Sequence, residues 1–163
     1  MQRKVFVVAT LCYAAVVGYG ALVWPERVAL HFGADLHADW YGSRGTAILV
    51  AVALGVCMAA AFVGCAALVS RIPLDLLNVP HPSYWKQPEH VAELRRRSAE
   101  DMYHLGAVTI FFLAGVLILA VQASTSVDHR LSGAAPILLI GYLGYLTGWT
   151  IWLWLRRYRP PAR

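Results

Sequence analysis

The sequence predicts an all-α fold: a polytopic membrane protein built as a four-helix transmembrane bundle with both termini cytoplasmic. Three observations predict it. Of 163 residues, 59% are hydrophobic and only 14% charged, against about 45–50% and about 25% in a soluble domain. The apolar residues gather in four long stretches free of Asp, Glu, Lys, Arg and His. The basic residues fall unevenly between the segments that join those stretches. The same composition excludes a disordered chain, a disulfide-rich scaffold and a repeat architecture.

The first stretch, residues 5–23, closes at Trp24-Pro25. Arg3 and Lys4 before it give it the look of a secretory leader, but its 19-residue run exceeds the usual apolar region of about 7–15 residues, so it reads as a retained span. An outer loop, 24–45, leads to the second span, 46–69, which ends before Arg71-Ile72-Pro73. The loop 70–104 has two halves. Residues 78–88 hold three prolines and the Tyr84-Trp85 pair, a composition that favours extended, turn-rich backbone. From Pro88 a short amphipathic helix, about 89–103, is expected, with Glu89 and Glu93 early and Arg95, Arg96 and Arg97 later, as the helix dipole prefers. The third span is 105–123. Gly133 and Pro136 open the fourth, 135–155, and Trp149, Trp152, Trp154 and Tyr158 mark its aromatic exit. At about 1.5 Å per residue each stretch can cross a hydrocarbon core of about 30 Å. The chain is thus a single membrane domain.

Small residues at four-residue spacing, Ala14 and Gly18, Ala51, Gly55 and Ala59, Gly144 and Gly148, are expected to bring helix backbones together. Leu138, Tyr142, Tyr145, Trp149 and Trp152 form a ridge along the fourth span. Cys12, Cys57 and Cys65 lie inside spans and read as small packing residues.

Orientation follows from Lys and Arg outside the spans. Eleven of the fourteen, including Arg163, fall on the side of the termini and the second loop, leaving Arg27, Arg44 and Arg130 opposite. The net charge of +5 is therefore a topology signal directed at the lipid bilayer and its anionic headgroups on the cytoplasmic face, not at nucleic acid. The span interiors offer hydroxyls but no Asp, Glu, His or Arg, which argues against ion-coupled transport by the chain alone.

Chemistry is then confined to the loops. The outer loop places His31, Asp35, His37 and Asp39 within nine residues, types that bind zinc or copper, but the spacing fits no metal motif and a hydrogen-bonded structural loop turning at Gly33 is the stronger expectation. Ser43 beside these groups lacks the setting of a hydrolase nucleophile. No catalytic residue and no cofactor is expected. Phe32 and Arg44 complete the outer candidate surface. On the cytoplasmic side the candidates are Asn78, Pro80, Tyr84, Trp85, Pro88, Arg95, Arg96 and Arg97. The arginines are expected to face headgroups, with docking of an acidic protein partner or oligomerisation as alternatives.

Pro25, His31-Phe32, Asp39 and Gly42-Ser43-Arg44, followed by Asn78-x-Pro80, Tyr84-Trp85 and Pro88, resemble the signature of a bacterial membrane-protein family of unknown function that includes the immunity protein against a sporulation-delay toxin. Gly33, Leu36 and Ala38 stand where that family usually has Asn, Gly and Pro. The resemblance covers roughly residues 20–105. It implies a bacterial inner-membrane protein, non-enzymatic, that senses or protects at the envelope through its outer loop and docks a partner through its cytoplasmic loop. An accessory subunit of a larger membrane complex is the other reading of the same spans, and a metal-binding protein using the His/Asp cluster a third.

Overall fold

The computed structural model describes residues 1–161; Arg163, counted above, lies outside the described residues. The chain is mostly helical: α1 (Gln2–Val23), a hairpin of β1 (Arg27–Phe32) and β2 (Ala38–Ser43), α2 (Arg44–Val69), α3 (Pro82–Trp85), α4 (Pro88–Thr125) and α5 (Ala134–Trp152), which runs on through a π-helical turn at Leu153–Arg157. Four of these helices are long and apolar enough to cross a membrane. α1 stops where Trp24 turns to extended backbone ahead of Pro25, whose ring disfavours a helical residue before it.

Two expectations about secondary structure are corrected. The loop 24–45 turns at Gly33 as expected but is more regular than a loop, so the fold is not purely α: residues 27–43 form an antiparallel hairpin with Arg27 opposite Ser43 and Phe32 opposite Ala38. Val28 and Phe32 on β1 and Trp40 and Tyr41 on β2 are β-branched and aromatic types that suit a pleated surface. A lone two-stranded hairpin is only marginally stable, and this one gains stability by burying Val28 and Ala29 against the ends of α2 and α4. The second correction concerns the helix expected at 89–103 and the span at 105–123, which are one 38-residue helix, α4. No proline separates them, and Gly106 is retained because a Cβ there would press on the rings of Phe6 and Phe62.

α4 is the central helix, touching α1, α2, α5 and the hairpin. Phe6, Ala9, Tyr13 and Val17 of α1, Ala47 and Ala51 of α2, and Ala107, Ile110, Ala114 and Val121 of α4 form one core with Val28 of β1. The small-residue face of α2 packs as expected. A side chain at Gly55 would collide with the Tyr13 ring, and the Tyr13 hydroxyl donates to the Ala51 carbonyl at 2.7 Å. The other small faces do not pack within the chain: nothing lies within 4 Å of a Cβ built on Gly18, Gly144 or Gly148. α5 buries no residue and meets α4 through its aromatic ridge. Tyr142 stacks on Phe112 with ring centres 4.2 Å apart and shares a 2.9 Å hydrogen bond with Thr109, while Trp149 stacks on His104 at 4.0 Å. Rings span this gap, and the glycine that makes room at it is Gly115 of α4, where a Cβ would lie 3.0 Å from Leu138 Cδ2. Cys12, Cys57 and Cys65 are exposed on the bundle surface, not packed inside it.

Candidate functional site

The polar groups collect at the two ends of the bundle. At the hairpin end, His31 and Asp39 face each other across the two strands, Nδ1 to Oδ1 at 2.7 Å, both exposed. Asp35 serves the turn instead: its Oδ1 accepts from the His37 backbone N–H at 3.2 Å, an Asx-type turn, while Leu36 takes positive φ. Among the described residues no three His, Cys, Asp or Glu side chains assemble to hold a metal ion. Phe32 ends β1, and Trp40 projects outward, 63% exposed.

The Gly42-Ser43-Arg44 run builds the join to α2. Gly42 leaves room for Leu30, which a Cβ would strike and which lies at a register shift in β1. Ser43 is the N-cap of α2 and accepts from the Thr46 N–H at 3.1 Å, satisfying one of the free donors of the first turn. Arg44 donates its backbone N–H to the Glu26 carbonyl and extends its guanidinium to within 3.8 Å of the Glu26 carboxylate. The α4–α5 connection then pins the hairpin tip, with His37 bridged to Arg130 and the Leu131 N–H donating to the Leu36 carbonyl at 2.9 Å.

The candidates at the other end of the bundle, where the chain termini lie, converge more tightly. α3 turns Trp85 inward, 3% exposed, where its indole N–H donates to the Tyr158 carbonyl at 2.7 Å. Tyr84 stacks on His90 at 4.0 Å, and Pro88 occupies the first turn of α4, where its missing N–H costs nothing. The three arginines have separate roles. Arg95 donates to the carbonyls of Val69 at 2.7 Å and Ile72 at 2.9 Å, capping the end of α2. Arg97 lies 4.9 Å over the Trp85 ring and donates to the Arg157 carbonyl at 2.7 Å. Arg96, the most exposed, pairs with Glu93 and Glu100 along α4. Hydrogen bonds from Arg96 and Arg97 pull the Glu93 carboxyl down to about 2.

Sequence reasoning missed the centre of this face. Asp101, 4% exposed, receives the Tyr158 hydroxyl on Oδ2 at 2.7 Å and has Arg157 Nε 2.7 Å from Oδ1. Ser98 shares a hydrogen bond with the same hydroxyl at 3.2 Å. Burial raises the Asp101 carboxyl above the ordinary aspartate range, against the opposing pull of Tyr158 and Arg157. Burial, reinforced by Asp101, likewise raises the Tyr158 phenol well above its usual value. The available signal was an acid four residues before an apolar span, a place where a charge needs a partner. Beside Asp101 opens a cavity of about 250 Å³ lined by Asn78, Pro80, Ser98, Trp154 and Tyr158, so Asn78-x-Pro80 forms its wall.

No known protein family, curated protein or solved structure matches the chain. The functional reading therefore rests on the geometry of these two faces.

Proposed function

We propose that this protein is a non-enzymatic inner-membrane protein of the bacterial toxin-immunity or signalling type. Its hairpin meets an extracytoplasmic ligand and its cytoplasmic loop docks a protein partner. The observation that carries the reading is α4, one unbroken helix from Pro88 to Thr125, with Val121 in a common core with Val28 of the hairpin and Asp101 at the centre of the cytoplasmic network. A secondary element packed at both ends is one means by which two sites are coupled. The test is a deletion strain challenged with secreted antibacterial peptides and envelope stress, complemented with wild type or with Trp40→Ala or His31→Ala at equal abundance. Loss of protection in the deletion and in the hairpin variants supports the reading. Unchanged sensitivity, with no partner crosslinked to the cytoplasmic loop, overturns it.

The fourth helix favours a second reading, an accessory subunit of a larger membrane complex. α5 buries no residue, and its Gly144 and Gly148 meet nothing within 4 Å, a face suited to another helix. Native mass spectrometry in mild detergent separates the readings, since monomer alone removes this one.

A further inference from the structure

The hairpin end of the bundle carries a cavity, with polar groups on its lining, that the two-face reading does not use. It measures about 500 Å³, lies where α1 and α4 reach the membrane surface, and is lined by Arg27, Ser124, Thr125, Ser126 and His129 among others. A hollow of about 230 Å³ lined by Arg27, Tyr41 and His129 adjoins it. Arg27 sits 4.6 Å over the Tyr41 ring, and among the described residues it makes no ion pair, its neighbour Glu26 being directed to Arg44. Two buried polar atoms at this cavity have no hydrogen-bond partner, Ser124 Oγ and His129 Nδ1, and Ser124 is 1% exposed. Such atoms are unfavourable unless something pairs with them.

The end of α4 adds groups of the opposite character to the same lining. α4 ends here, presenting the carbonyl end of its dipole. Thr125 and Ser126 donate their hydroxyls to the carbonyls of Val121, Gln122 and Ala123, which leaves the hydroxyl oxygens as acceptors. The Arg27 guanidinium, the unpaired polar atoms and these acceptors thus line one cavity. That pattern complements a phosphate joined to a primary ammonium: the phosphate on Arg27 and His129, the ammonium on the end of α4. Val23, the last residue of α1 and 36% exposed, lines the cavity where acyl chains would continue into the bilayer.

We propose that this cavity binds a phosphoethanolamine group, carried either by phosphatidylethanolamine in the leaflet on the hairpin side or by a soluble ester. The choice is selective by chemistry. A choline headgroup has the same charge but no N–H to donate, and a glycerol headgroup lacks the cation. The inference is independent of the immunity reading.

The test uses the full chain, purified in mild detergent and stripped of lipid, with native mass spectrometry after adding phosphatidylethanolamine, phosphatidylcholine, phosphatidylglycerol or glycerophosphoethanolamine. Phosphatidylethanolamine is expected to be retained over the other two lipids. Arg27→Gln is expected to weaken retention about tenfold, the scale of one lost charge-assisted hydrogen bond, with Arg27→Lys intermediate. Retention of glycerophosphoethanolamine at similar occupancy assigns a soluble source, and retention of the lipid alone assigns the membrane. Equal retention of all three lipids, or wild-type retention by Arg27→Gln, overturns the proposal. If Arg27→Gln does not fold, the lipid selectivity of the wild type still decides.

Discussion

At Asp101 a carboxylate lies almost wholly out of solvent, with the Tyr158 hydroxyl on one oxygen and the Arg157 guanidinium on the other, so the three residues stand or fall together. Removing one partner of a buried pair leaves the other charge uncompensated, a loss of about 3–5 kcal/mol, whereas deleting a neutral donor costs about 1–3 kcal/mol. Arg157→Leu should therefore destabilise the protein more than Tyr158→Phe in thermal or denaturant unfolding in detergent. The double variant should lose less than the two single losses added, because both act through Asp101. The carboxylates of this face also have opposite acid responses. Glu93 is depressed from 4.5 to about 2 by Arg96 and Arg97, so its contribution is full above about pH 4.5 and fades as pH falls toward 2. Asp101 is raised, so its contribution is present below its unfolded value of 3.8 and is lost as pH rises through its folded value. Glu93→Gln should flatten the fall in stability between pH 4.5 and 2, and Asp101→Asn should leave that fall in place. An acid limb unchanged in Glu93→Gln would show that the Arg96 and Arg97 contacts do not stabilise the fold.

At the scale of elements, the contact of α1 with α2 depends on the absence of a side chain at Gly55, where the Tyr13 ring lies. Overpacking such a contact costs about 1–3 kcal/mol, and Gly55→Leu would also separate the Tyr13 hydroxyl from the Ala51 carbonyl. It should lower the unfolding midpoint in detergent, while Gly148→Leu, with open space around it, should leave the isolated chain unchanged. The same pair of glycines shows what the sequence could reveal. Both sit in small-residue patterns, and only the tertiary position of a ring separates the one that packs from the one that does not. The spans were legible because a run of 19 to 24 apolar residues has few alternatives. The hairpin was not, because its strands are six residues each and the register shift at Leu30 breaks the alternation that marks a strand. At the end of the bundle that holds the termini, Trp85 and the arginines were legible as candidates by type. Their partners Arg157 and Tyr158 were not, since they lie 60 to 73 residues away in sequence and only folding brings them in.

For the molecule as a whole, orientation links the two faces to function, and the charge count argues for it despite the internal engagement of Arg95 and Arg97. Those arginines hold backbone carbonyls in the folded chain, but the positive-inside bias acts on flanking charge during insertion, before such contacts exist. All eleven basic residues on the terminal side therefore count toward orientation, against three on the hairpin side. The expected outcome is a cytoplasmic α3 and an external hairpin. Cys12, Cys57 and Cys65 are exposed and unpaired, so replacing them with Ala provides a background for single reporter cysteines. In intact cells a membrane-impermeant maleimide should label Asp35→Cys, at the hairpin tip. It should reach Glu89→Cys, at the start of α4, only after permeabilisation. The reverse pattern would put the hairpin inside, contradict the charge bias, and remove the extracytoplasmic ligand from the proposed function while leaving the lipid-headgroup site intact on the other leaflet.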